Sequence, residues 1–248
     1  MAATPAAPPP PVSLGADDPA GEKTVATVAP LAARIGFWAA ALTAAFALLF
    51  GVGAVLAAVL FPGRDWQGVE HWAANYSVGA TYLTVLPSFC LTFAFVVLLA
   101  SIHALTPPDR QILSLVGLAL ALLYAAILDA NYFVQLTFVR QEALAGNGAA
   151  VGMLAIENMA SPSLFWTLEY LGYGLQCLAA LAIAPLFGGW TRRCLLLVGG
   201  AGVLTFATPM LDLPLPAFVL GGAGWQIGLP IAAILLAHRW YRASHPAR

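Results

Sequence analysis

Between residues 35 and 240 the chain alternates long apolar runs with short polar interruptions. Six runs stand out, over 35–61, 78–104, 112–139, 163–187, 194–213 and 217–240, each near or above the roughly 20 residues that carry an α-helix across a bilayer. The pattern predicts an all-α fold, a polytopic bundle of six transmembrane helices. An even number of spans puts both termini on one side. The first run starts too late and runs too long for a secretory signal, so it reads as an uncleaved first helix. Residues 1–30 are rich in Ala and Pro, with a proline run at 8–11 and acids at Asp17, Asp18 and Glu22; without apolar periodicity they read as a disordered tail. The expected division is a tail over 1–30, a membrane domain over 31–241 and a short basic tail over 242–248.

Punctuation between the runs carries local chemistry. Thr106-Pro107-Pro108-Asp109 has the form of a capping box with Pro at the first helical position, and Ser161-Pro162 that of an N-cap followed by Pro. Pro87 and Pro230 fall inside the second and sixth runs, where they free backbone carbonyls and open space between helices. Gly224 and Gly228 form a GxxxG pair, and Gly199, Gly200 and Gly202 thin the fifth run, so close backbone packing within the monomer is expected there.

Charge gives the orientation. With the N-terminus inside, Lys23, Arg34, Arg110, Arg192, Arg193, Arg239, Arg242 and Arg248 are cytoplasmic, and Arg64 and Arg140 lie outside. Both termini are thus expected in the cytoplasm of a plasma (inner) membrane protein. Trp66, Trp72, Tyr76, Phe165 and Trp166 at the outer ends, and Trp190, Trp240 and Tyr241 at the inner ends, are expected to be interfacial anchors.

Composition agrees, since 61% of residues are hydrophobic and only 8% charged, far from the soluble average. A net charge of -1 leaves no basic surplus, which argues against nucleic acid as a partner. Cys90, Cys177 and Cys194 are scattered, an odd set that suits neither a disulfide framework nor a metal cluster. Glu70 and His71 are adjacent rather than at ligand spacing. No metal and no cofactor are expected.

The candidate chemistry lies in the few polar groups inside the runs. Of the acidic residues, only Asp129, Glu169 and Asp212 fall there. Counted from Gln111, Phe187 and Arg193, each sits about 27–29 Å from the inner boundary, so the three acids share one height near the outer edge of the hydrocarbon. At 100° per residue, Glu169, Tyr173 and Gln176 form a stripe running inward, which should face protein or a wet cavity. On the third run Asp129 and Tyr132 take one side, while Asn131 and Gln135 project roughly opposite, with Tyr124. Gln226, beside Trp225 and twelve residues from His238, is deep and is the best candidate for an interhelical hydrogen bond. Two outer loops, over 64–72 and 141–160, could cover the cluster. The apolar segment 151–156 reads as a short amphipathic helix, and a loop resting on headgroups is preferred to a lid.

The stretches Asp129-Ala130-Asn131-Tyr132-Phe133-Val134-Gln135-Leu136 and Ser163-Leu164-Phe165-Trp166-Thr167-Leu168-Glu169-Tyr170-Leu171-Gly172-Tyr173 resemble a group of six-helix bacterial integral-membrane proteins of unassigned activity. The resemblance covers residues 30–240 and implies a plasma-membrane protein. It brings no catalytic residues with it.

Three functions stay open. One is an outward-facing pocket in which Asp129, Glu169 and Asp212 attract a small cationic or amphipathic ligand, bound or translocated, with Tyr132, Tyr173, Gln176 and Gln226 setting its orientation. The second is a structural or accessory protein whose polar groups hold helices together. The third is an intramembrane enzyme acting on a lipid through carboxylate acid-base chemistry. HExxH, GxSxG, Walker and dinucleotide patterns are absent, and the lone Lys23 sits in the tail, which excludes retinal-type photochemistry.

Overall fold

The structure, a computed structural model, describes residues 30–62, 66–156, 163–211 and 215–244. They form α1 (Pro30–Leu60), a short α2 (Val69–Ala74), α3 (Val78–Leu105), α4 (Gln111–Val134), a short α5 (Arg140–Leu144), α6 (Leu164–Ile183), α7 (Gly189–Met210) and α8 (Leu215–Ser244). No strand occurs among the described residues. A π-helical turn, Gln135–Val139, joins α4 to α5 without a break in the rod. Five segments are long and apolar enough to cross a membrane: Leu31–Leu60, Val78–Leu105, Pro108–Leu144, Leu164–Leu186 and Leu220–Arg242. The fifth apolar run also forms a helix, the 22-residue α7, seated between α6 and α8.

The six long helices form a ring in chain order. Each packs on its neighbours in sequence, and α8 returns to pack on α1. Neighbours run antiparallel: along α4 and α6, Gly117 lies against Ile183 and Leu128 against Gly172. At one end Gly36 of α1 meets Trp240 of α8, and His103 of α3 bonds Ser114 of α4 at 2.9 Å.

Packing inverts the soluble rule. On α1 the buried face is Ala33, Ala39, Ala40, Thr43 and Ala47, while Leu42, Leu49, Val52 and Val59 point away from the protein. Small residues let backbones approach and large apolar ones face lipid, as membrane helices require. Gly53 shows the limit of that approach: a Cβ there would lie 1.9 Å from the carbonyl oxygen of Leu83. That carbonyl is the one whose i+4 amide Pro87 removes. Gly224 and Gly228 likewise face Ala201 and Val198 of α7, so the GxxxG pair packs within the monomer.

Several local expectations are corrected. Thr106 caps the C-terminus of α3 and turns its hydroxyl back to the Ile102 carbonyl at 2.7 Å, while a 3-10 turn, Pro108–Arg110, precedes α4. With its hydroxyl turned back to the preceding helix, Thr106 ends α3 and does not open α4. Ser161-Pro162 and Asp212 lie outside the described residues. Trp72, Phe165 and Trp240, read as interfacial anchors, are buried to 2% exposure or less, because each ring fills a gap between elements. Segment 151–156 is a run of turns, not an amphipathic helix, and buries Val151 and Ala155 against Trp72, Val139 and Ala143. Burial of that apolar surface on the bundle replaces its expected contact with headgroups.

Candidate functional site

At the end of the ring where α4 meets α6, adjacent residues Asn131 and Tyr132 straddle Glu169. Asn131 Nδ2 donates to Oε1 of Glu169 at 3.1 Å, and the Tyr132 hydroxyl donates to Oε2 at 3.1 Å. The second Asn131 amide proton goes to the Phe165 carbonyl at 3.3 Å. A carbonyl can only accept, so this contact fixes the amide orientation and makes Oε1 an acceptor. Tyr132 has one hydroxyl proton; with that proton on Glu169, the 3.0 Å contact with Tyr173 must be donated by Tyr173. A chain of hydroxyls thus runs from Tyr173 through Tyr132 to the carboxyl group. Glu169, Asn131 and Tyr132 are all buried.

Beside this network lies a cavity of about 280 Å³, near the lower end of the range for small-molecule pockets. All six long helices contribute to it. Phe50 comes from α1, Thr84 and Ser88 from α3, Tyr132 from α4, Thr205 from α7, and Trp225 and Gln226 from α8. The largest share belongs to α6, whose Trp166, Glu169, Tyr170, Tyr173 and Cys177 recur at helical spacing on one face. The walls are aromatic: Trp225 stands edge-on to Tyr173 at 4.8 Å and to Phe50 at 6.0 Å between ring centroids. Among the described residues, no Lys, Arg or His lines the cavity. One carboxyl group is thus set in a wall of aromatic rings.

The loop over 151–156 covers the cavity at this end of the ring. Gln135 donates from Nε2 to the Leu154 carbonyl at 2.6 Å, Trp166 from its indole to the Ile156 carbonyl at 2.9 Å, and Ser163 to the Met153 carbonyl at 3.2 Å. Ile156 itself is part of the cavity wall. The loop is therefore a cover on the bundle, held by three side chains that reach its backbone.

Of the residues singled out in the sequence, Glu169, Tyr132, Tyr173 and Gln226 line one cavity. Gln226 also makes the expected interhelical bond, from Nε2 to the Ala47 carbonyl of α1 at 2.8 Å. Gln176 stands behind the wall, fully buried, where Oε1 accepts from the Trp225 indole at 2.7 Å and leaves Nε2 without a partner among the described residues. Asp129 does not join them. It is half-buried on the face of α4 toward α3, where the Thr92 hydroxyl donates to it. Asp129 and Tyr132, expected on one side, divide between α3 and α6 because 60° of helical rotation suffices to reach different neighbours in a ring. Asn131 and Gln135 do share a buried face, one serving Glu169 and the other the loop over 151–156.

Of the aromatic wall, the sequence pattern selects Tyr132 and Tyr173 but not Phe50, Tyr170 or Trp225, and it places Phe165 and Trp166 at the interface, although Trp166, Tyr170 and Tyr173 at i, i+4 and i+7 around Glu169 carry the signal. Comparison with protein-family models, with curated proteins and with solved structures gave no match.

Proposed function

We propose that the protein is a six-span plasma-membrane protein with both termini in the cytoplasm, whose outward-facing cavity binds or translocates a small cationic or amphipathic ligand. One observation carries the reading: Glu169, a carboxyl group with no basic residue beside it among the described residues, opens onto a cavity walled by aromatic rings and built from all six long helices. A carboxylate with ring faces is the chemistry that holds an ammonium group, whose apolar substituents suit the remaining wall. The eight-to-two bias of basic residues supports the orientation, and the group of six-helix bacterial membrane proteins it resembles supports the setting.

A second reading rests on the same network. Both oxygens of Glu169 already accept hydrogen bonds from α4, which suits a carboxyl group that ties two helices together. Thermal unfolding of the purified protein in detergent, across a panel of amines, quaternary ammonium ions and cationic amphiphiles, separates the two. Ligand binding raises the unfolding temperature of the wild type by mass action and leaves Glu169→Gln unmoved. If no compound shifts the wild type while Glu169→Leu unfolds earlier, the carboxyl group is structural.

A further inference from the structure

On the outer surface of the ring, α1 and α3 leave between them a groove of about 590 Å³. Its floor is made of small side chains, the buried Ala39 and Ala94, and its walls of Trp38, Leu42 and Val97, all exposed away from the protein. Among the described residues, the groove has one charged residue, Arg34, at the N-terminal end of α1. From Arg34 to Phe46, the last α1 residue along it, twelve residues rise about 18 Å, close to half of a hydrocarbon core about 30 Å thick. The indole of Trp38 sits one turn inward from the guanidinium, the depth at which such rings settle at a membrane interface.

We propose that this groove is a binding site for an anionic glycerophospholipid, with one acyl chain along α1 and α3 and the phosphate on Arg34. The charge of this end of the ring favours such a headgroup. Arg110 before α4, Arg192 and Arg193 at the start of α7, and Arg239 and Arg242 at the end of α8 stand at the same end. Among the described residues, the acid at this end, Asp109, already faces Arg110 at 3.7 Å, and Arg34 has no acidic partner. A phosphate supplies the acceptors that a guanidinium lacks there, and a headgroup without an ammonium of its own does not compete for them. The leaflet-length match assigns the acyl chain to the groove rather than to general solvation of the helix surface.

Titration of the delipidated full-length protein with dioleoylphosphatidylglycerol or dioleoylphosphatidylcholine, read by native mass spectrometry, tests the site. The wild type should bind its first phosphatidylglycerol more tightly than phosphatidylcholine. Arg34→Gln should weaken that first step about fivefold and leave phosphatidylcholine unchanged. Ala94→Leu, which fills the floor, should weaken both. Equal binding of the two lipids, or equal phosphatidylglycerol binding by wild type and Arg34→Gln, overturns the proposal. A dimer that survives delipidation and is lost in Ala94→Leu overturns it in favour of a second copy of the chain. Arg34 is exposed, so its variant reports on the site even if the leucine disturbs packing.

Discussion

Tyr132 and Glu169 meet across the α4–α6 contact with 3.1 Å between the hydroxyl, which donates, and Oε2, while Asn131 donates to the other oxygen. The consequence concerns substitutions. In Glu169→Gln the amide carbonyl takes the place facing Asn131, so its NH₂ faces Tyr132, which accepts and turns its own proton toward Tyr173. The chain reverses without breaking. Glu169→Gln should therefore keep the unfolding free energy within about 1 kcal/mol of wild type. Glu169→Leu removes both acceptors, and Tyr132→Phe removes the bridging hydroxyl. A double-mutant cycle of those two, followed by unfolding in mixed micelles, should give a coupling of about 0.5–2 kcal/mol. Additive losses would show that the contact contributes nothing beyond packing.

Gly53 and Gly200 make a paired prediction. At Gly53 a Cβ would meet the Leu83 carbonyl at 1.9 Å, a backbone atom that cannot rotate away, so α1 and α3 must separate. Gly53→Ala should cost about 1–3 kcal/mol or more by overpacking. Gly200 on α7 has open space where its Cβ would go. Alanine there should be neutral or stabilising by up to about 1 kcal/mol, the helix-propensity difference. Unfolding temperatures of the two variants in one detergent decide the matter; equal shifts would mean that the α1–α3 contact is looser than described.

Gly51 presents the milder form of the same conflict. A Cβ at that position would lie 2.6 Å from Nε2 of Gln226, the amide that reaches the Ala47 carbonyl. The obstacle is the end of a side chain, so Gly51→Ala should displace the amide instead of the helix. Its cost should match that of Gln226→Leu, about 0.5–2 kcal/mol, and the double variant should be no worse than either alone. Fully additive losses would show that Gly51 and Gln226 act independently.

How far the sequence alone reached follows from what periodicity measures. Run length and helical angle identify the helical runs, the inward stripe of Glu169, Tyr173 and Gln176, and the bond of Gln226, since all are properties of single helices. Which helix each face meets is a property of the ring. That is why Asp129 and Tyr132, 60° apart on α4, reach Thr92 and Glu169 on different neighbours. Phe165 and Trp72 escaped for a related reason: an aromatic residue near a helix end looks the same whether it faces headgroups or the underside of a loop, and here both are buried.

Gln135 provides the test of how the cavity is covered. Its side chain is buried and its amide holds the Leu154 carbonyl at 2.6 Å, from the π-helical turn between α4 and α5. The loop's own amides are paired locally, Val151 with the Gly148 carbonyl and Leu154 with that of Val151. Those bonds protect against exchange only while the loop stays seated, so opening is read directly from their exchange rates. Gln135→Ala removes one anchor and leaves the Leu154 carbonyl without it, which should lower the local opening free energy by about 1–2 kcal/mol and speed exchange over 148–156 roughly tenfold. Thr137→Ala is the control, because its exposed hydroxyl bonds only the Phe133 carbonyl of its own helix. Exchange that is unchanged in Gln135→Ala would mean that the buried contacts of Val151 and Ala155 hold the cover by themselves, and that entry to the cavity depends on unpacking an apolar cluster instead of releasing an amide.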